Sequence, residues 1–64
     1  MRLDKKWADK LAALPESGMG YQIIDVILKN GNIIKNITVF DCEIIPNRNL
    51  SFSNNDIKDV ILHP

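Results

Sequence analysis

Apolar residues recur along the first third of the chain at Leu3, Trp7, Leu11 and Leu14, with spacings of four, four and three. Lys5, Lys6, Asp9 and Lys10 occupy the other faces, and Ala8, Ala12 and Ala13 favour helix. The pattern predicts an amphipathic helix over about residues 3–14. Pro15 stops it, because the residue before a proline is pushed out of helical geometry, and Glu16-Ser17-Gly18-Met19-Gly20 reads as a hinge. A helix of about a dozen residues with one apolar stripe is marginal alone and must dock on something.

Beyond residue 20 the periodicity changes. Ten Ile, three Val and one Thr follow, where none occurred before, so the remainder reads as sheet. Tyr21 to Lys29 and Asn32 to Phe40 flank Asn30-Gly31, a pair suited to the positive φ angles of a type I′ turn, and the two segments are expected to form a β-hairpin. With a two-residue loop, Leu28 faces Ile33, Val26 faces Lys35, Ile24 faces Ile37 and Gln22 faces Val39. One face then carries Ile24, Val26, Leu28, Ile33, Ile37 and Val39, and the other carries Tyr21, Ile23, Ile27, Ile34 and Phe40. An antiparallel hairpin normally has one apolar and one wet face, so two apolar faces imply a cover for the second: the remaining strands, or a partner chain. Residues 41–45 read as a third strand, residues 46–49 as a turn, and Leu50-Ser51-Phe52 as a short fourth strand. Ser53 with Asp56 has the spacing of a helix start, here taken as one 3₁₀ turn before a last strand over 57–62; a short C-terminal helix is the alternative. The expected fold class is α+β: an N-terminal amphipathic helix, then a curved, mostly antiparallel sheet or small open barrel of about five strands, as one domain over 1–64 with its sheet over about 21–62.

Composition narrows what holds such a chain together. Sixty-four residues bury a small core, and domains of this size often use a disulfide, a metal or a partner. One Cys makes no internal disulfide, and one Cys with one His does not complete a structural zinc set. Self-association or a well-packed core is left, and no cofactor is expected. Eight Lys plus Arg against eight Asp plus Glu give no net charge, unlike the basic footprint of a nucleic-acid or anionic-membrane binder. Charges throughout the first ten residues argue against a signal peptide, the apolar runs are far too short to span a bilayer, and an unpaired Cys42 fits a reducing cytoplasm.

Candidate chemistry is sparse. Asp41 and Glu43, two apart on the expected third strand, would share a face and could divide acid and base roles, but a solvated outer face explains the spacing. Cys42 between two carboxylates lacks the cationic neighbour of a reactive thiol and reads as buried and inert. His63 stands at a position where chains usually fray. Ser17-Gly18-Met19-Gly20 lacks the Lys and the strand-to-helix setting of a phosphate loop, Trp7 reads as a core anchor, and Arg2, Lys5, Lys6 and Lys10 are offset by Asp4 and Asp9. No enzyme activity is expected.

The segment Val26-Ile27-Leu28-Lys29-Asn30-Gly31, followed by Val39-Phe40-Asp41, resembles the first motif of the Sm-like proteins, small barrels akin to SH3-like folds. In that motif an apolar strand reaches Asn-Gly, turns, and returns to end in Phe-Asp. The resemblance covers about a quarter of the chain. Asn36 is the residue nearest the Gly expected in the returning strand, and the return is one residue short. The resemblance implies ring formation through edge strands and binding of single-stranded RNA, with Lys29, Lys35, Phe40, Asp41 and Arg48 as candidate contacts; neutrality weighs against it. The primary expectation is therefore a non-enzymatic, self-associating or protein-docking module of the cytoplasm, with Tyr21, Ile23, Ile27, Ile34 and Phe40 as its interface and no membrane partner.

Overall fold

A computed structural model describes residues 1–46 and 50–64. Helix α1 spans Lys5–Ala12, and β1 (Tyr21–Leu28), β2 (Ile33–Phe40), a 3₁₀ turn (Asn54–Asp56) and β3 (Ile57–Leu62) follow. The fold is α+β, with an open antiparallel sheet of three strands in the order β2-β1-β3. No helix is long and apolar enough to cross a membrane among the described residues.

One face of the sheet holds the core. Trp7 and Leu11 of α1, with Leu3 before it, pack against Ile24, Val26, Leu28, Ile37, Val39, Ile57 and Val60, and Ile45 and Phe52 close the same cluster. The stripe read from the sequence is thus the buried stripe, and Trp7 is the expected anchor. Helix α1 has no side-chain cap at Asp4, whose carbonyl accepts the Trp7 and Ala8 N–H groups at 3.0 Å. Its other end is closed from β1: the buried Gln22 amide donates to the carbonyls of Leu11 (2.8 Å), Leu14 and Pro15 (both 3.2 Å). A strand residue thereby satisfies carbonyls that the helix leaves unpaired. Gln22 Oε1 and Trp7 Nε1 are buried without a protein partner.

The N-terminal segment is tied down twice. The Met1 ammonium donates to the Ile45 carbonyl at 2.7 Å, and the Asn54 side chain both accepts the Asp4 N–H and donates to the Arg2 carbonyl, each at 3.0 Å. The 3₁₀ turn begins with the expected Ser53 and Asp56 box, the Asp56 carboxylate accepting the Ser53 N–H at 2.9 Å. The last strand follows it as expected.

Four expectations need correction. First, the hairpin loop has three residues, Lys29, Asn30 and Gly31: the Leu28 carbonyl accepts the Gly31 N–H at 3.0 Å, and the Leu28 N–H donates to the Asn32 carbonyl at 2.8 Å. Gly31 takes the positive φ of 94°, whereas Asn30 does not have one, and its side chain accepts the Asn32 N–H at 2.9 Å. A type I turn closed by a left-handed Gly is the three-residue alternative to type I′. Second, this extra residue shifts the register near the turn, so that Val26 pairs with Ile34 and Ile27 with Ile33. Ile34 therefore packs on the core and Ile33 stands on the opposite face, the reverse of the expectation. A bulge in β2 restores the register: Lys35 and Asn36 together oppose Asp25, Asn36 is left-handed at φ 62°, and Ile24 with Ile37 through Tyr21 with Phe40 pair as expected.

Third, residues 41–45 form no strand. Asp41 and Cys42 are both left-handed, at φ 53° and 64°, and fold the chain back so that Phe40 and Ile44 bridge; Ile44 also bridges Arg2. Asp41 and Glu43 consequently do not share a strand face. Fourth, residues 50–52 are not a strand, so three strands rather than about five form among the described residues, and they make an open sheet.

Candidate functional site

The sheet surface away from the core is the candidate site. Alternation puts Tyr21, Ile23, Asp25 and Ile27 of β1 on this outer face, and register adds Phe40, Thr38 and Ile33 from β2 and Ile61 from β3. Ile33, Phe40 and Ile61 are 50%, 42% and 39% exposed, while Tyr21, Ile23 and Ile27 are half-buried. The helix packs on the other face, with the core cluster, and leaves Ile33, Phe40 and Ile61 to solvent. Tyr21 and Phe40 form a tilted ring pair at one end, with centroids 6.3 Å apart. Beside that end, Met19 is 99% exposed at the tip of a tight turn, where the Gly20 carbonyl accepts the Asp41 N–H at 3.2 Å.

At the centre of this apolar surface is a carboxylate. Asp25 lies on the middle strand opposite Ile61, and its side chain is only 6% exposed. Its Oδ1 accepts the backbone N–H of Asn36 at 3.0 Å and faces His63 Nδ1 at 2.7 Å. The Asn36 N–H reaches it because the bulge turns that peptide inward. His63 arrives by continuing the β3 pairing one residue further, its N–H donating to the Ile23 carbonyl at 2.9 Å. Burial pushes the Asp25 carboxyl up, but the Asn36 N–H, the His63 ring and the Lys35 charge together outweigh it and hold the group below its ordinary value. Because a carboxylate only accepts, Nδ1 carries the proton, and a neutral His63 is in its Nδ1–H form.

Of the proposed interface residues, Tyr21, Ile23, Ile27 and Phe40 share this face and Ile34 does not; Ile33 takes its place. Of the proposed RNA contacts, Lys29 and Lys35 are exposed at the hairpin end of the sheet, whereas Phe40 and Asp41 lie at the other. Arg48 falls outside the described residues. Lys29 also lines a shallow cleft with Leu28, Phe52 and Asp56, between the hairpin loop and the 3₁₀ turn. Cys42 is half-buried against the core, and no group of three His, Cys, Asp or Glu side chains gathers among the described residues. The feature that sequence reasoning missed is the Asp25 and His63 pair. An acid on the central strand of an otherwise apolar hairpin was the available signal, while its partner, 38 residues away, depended on the β3 register.

No protein family, characterised protein or solved structure compared with the chain matches it.

Proposed function

We propose that the protein is a non-enzymatic interaction module of the cytoplasm that docks through the outer face of its sheet, onto a copy of itself or another protein. The observation carrying this reading is that Ile33 and Phe40, at the two ends of β2, and Ile61 on the opposite edge strand stand exposed on a face that the helix does not cover. A large apolar group left in water loses about 1.5–3 kcal/mol relative to full burial, so covering these side chains is favourable. Zero net charge leaves no general repulsion to oppose close approach. Sedimentation velocity of the purified chain over micromolar to millimolar concentration tests it, with Ile33→Lys and Ile61→Lys as controls. Concentration-dependent association that either lysine abolishes supports the reading. A strict monomer that binds no protein partner through this face sinks it.

The alternative is an Sm-like single-stranded RNA binder. What favours it is Asn36, which adopts the left-handed conformation that the motif's glycine would supply, in the strand returning to Phe40-Asp41. In this reading Lys29 and Lys35, exposed at the hairpin end, gather around one opening of a ring of copies. Titration with U-rich and A-rich single strands decides it, and no saturable binding even at low salt would remove it.

A further inference from the structure

We propose that Lys10 and Asp59 guard the free edge of β3: they occupy the backbone N–H through which the β3 of a second copy would otherwise pair with it and run the two sheets into one.

An edge strand presents backbone groups that no neighbour satisfies, and such a row is a template for a further strand. The two edges of this sheet differ. On β2 the row is broken, because the Asn36 bulge turns its N–H inward to Asp25 and Phe40 donates its N–H to the Ile44 carbonyl at 2.7 Å. The other edge is β3. There the His63 N–H points inward, to the Ile23 carbonyl at 2.9 Å, so alternation turns the N–H groups of Val60 and Leu62 outward. That of Val60 is already taken. It donates to Asp59 Oδ1 at 2.8 Å.

The path of the Asp59 side chain shows what it blocks. Asp59 pairs with Ile27, whose side chain lies on the outer face, while α1 packs on the opposite face. The Asp59 carboxylate nevertheless meets the Lys10 ammonium of α1, so the ion pair passes around the free edge of β3. The Lys10 hydrogen bond and the Val60 N–H hold the Asp59 carboxyl below its ordinary value, against partial burial. An arriving strand meets a donor already engaged and two charges in its way, and enclosing those charges in a backbone ladder is costly.

A second β3 is the strand this edge suits. With a two-fold axis at Val60, antiparallel pairing sets Val60 opposite Val60, Asp59 opposite Ile61 and Lys58 opposite Leu62, so no like charges face each other. The two Val60 residues would exchange N–H and carbonyl bonds, the ones that the guard prevents. This contact lies beside the sheet and is independent of docking on its outer face.

The test is made in an Ile33→Lys background, which alters the outer face on β2 and leaves β3 untouched. Two freed Val60 N–H groups, at about fivefold each, predict that Asp59→Ala associates about 25-fold more tightly than its parent in sedimentation velocity. Lys10→Ala should shift association in the same direction, and Lys10→Arg should match the parent. Amide exchange followed by NMR reads the contact itself. In the parent the Val60 amide should be protected and the Leu62 amide should not. In Asp59→Ala the protection of Val60 should fall at low concentration and return as concentration rises, which simple destabilisation would not produce. Val60 exchanging as fast as Leu62 in the parent overturns the proposal. So does an Asp59→Ala chain no more associated than its parent, or one that associates without regaining protection at Val60.

Discussion

Gln22 offers the sharpest test of the packing, because its amide closes a helix from within the sheet. In Gln22→Leu the shape is nearly kept and the donor is lost. The Leu11 carbonyl retains the Leu14 N–H at 3.0 Å, so its loss is that of one hydrogen bond, about 1 kcal/mol. The longer contacts to Leu14 and Pro15 add about 1 kcal/mol together, and removing the unpaired Oε1 returns about 1 kcal/mol. The net loss is about 1 kcal/mol, or about 4–8 °C in Tm for a domain of this size. Gln22→Glu is a stronger perturbation, since an ionised acid at a site 1% exposed would face three carbonyls with no donor. Holding it protonated at pH 7 against an ordinary value of about 4.3 costs about 3.7 kcal/mol, falling to about 1 kcal/mol at pH 5. The sign follows from a folded pKa raised above the unfolded one: the loss is full at neutral pH and disappears as acid protonates the unfolded chain too. Thermal unfolding followed by circular dichroism at pH 7 and 5 measures both variants. If Gln22→Glu matches the parent at pH 7, the amide is not enclosed as described, and this account of the helix end is wrong.

Asn36→Gly should leave stability within about 0.5 kcal/mol, while Asn36→Val should lose about 1–2 kcal/mol, because a branched side chain resists φ 62°; urea midpoints separate the two, and equal midpoints would count against the bulge. Gly31→Val should also lose about 1–2 kcal/mol by the same measurement, purely through φ, since an added Cβ there meets nothing within 4 Å. Asp25 is ionised more readily folded than unfolded, so its contribution is complete above the unfolded value of about 3.9 and is lost as pH falls through the folded one. Asp25→Asn should accordingly flatten the acid limb of stability against pH, measured by urea unfolding between pH 7 and 2; an unchanged limb would show that the His63 and Asn36 contacts do not act on this carboxyl.

The helix and the hairpin were legible because each rests on a local period: Leu3, Trp7 and Leu11 at helical spacing, and alternating residues about Asn30-Gly31. The 3₁₀ turn was legible for the same reason, since Ser53 and Asp56 act on their own neighbours. What escaped was decided at longer range or by a single peptide. Asn-Gly serves both two- and three-residue loops, and the Asn30 side chain bond to Asn32 accompanies the longer one. That one-residue difference exchanged Ile33 and Ile34 between faces. Asp41 and Cys42 carry no glycine to announce two left-handed residues, so an apolar run ending in Ile44-Ile45 read as a strand. Half of the candidate site, Tyr21, Ile23, Ile27 and Phe40, followed from alternation. Its polar centre did not, because His63 reaches Asp25 only once β3 has paired with β1.

The three-residue loop and the bulge at Asn36 cancel one another in register: the loop takes Lys29 out of the ladder, and the bulge gives one residue back at Asn36. Deleting Asn36 would therefore leave Ile34 opposite Val26, Lys35 opposite Asp25 and Ile37 opposite Ile24, so Ile37 and Val39 would stay on the face that Leu11 and Trp7 cover. The ladder would be regular and the core face intact. What the deletion would remove is the peptide that holds Asp25, so the regular hairpin would sit more simply and lose the polar centre of its outer face.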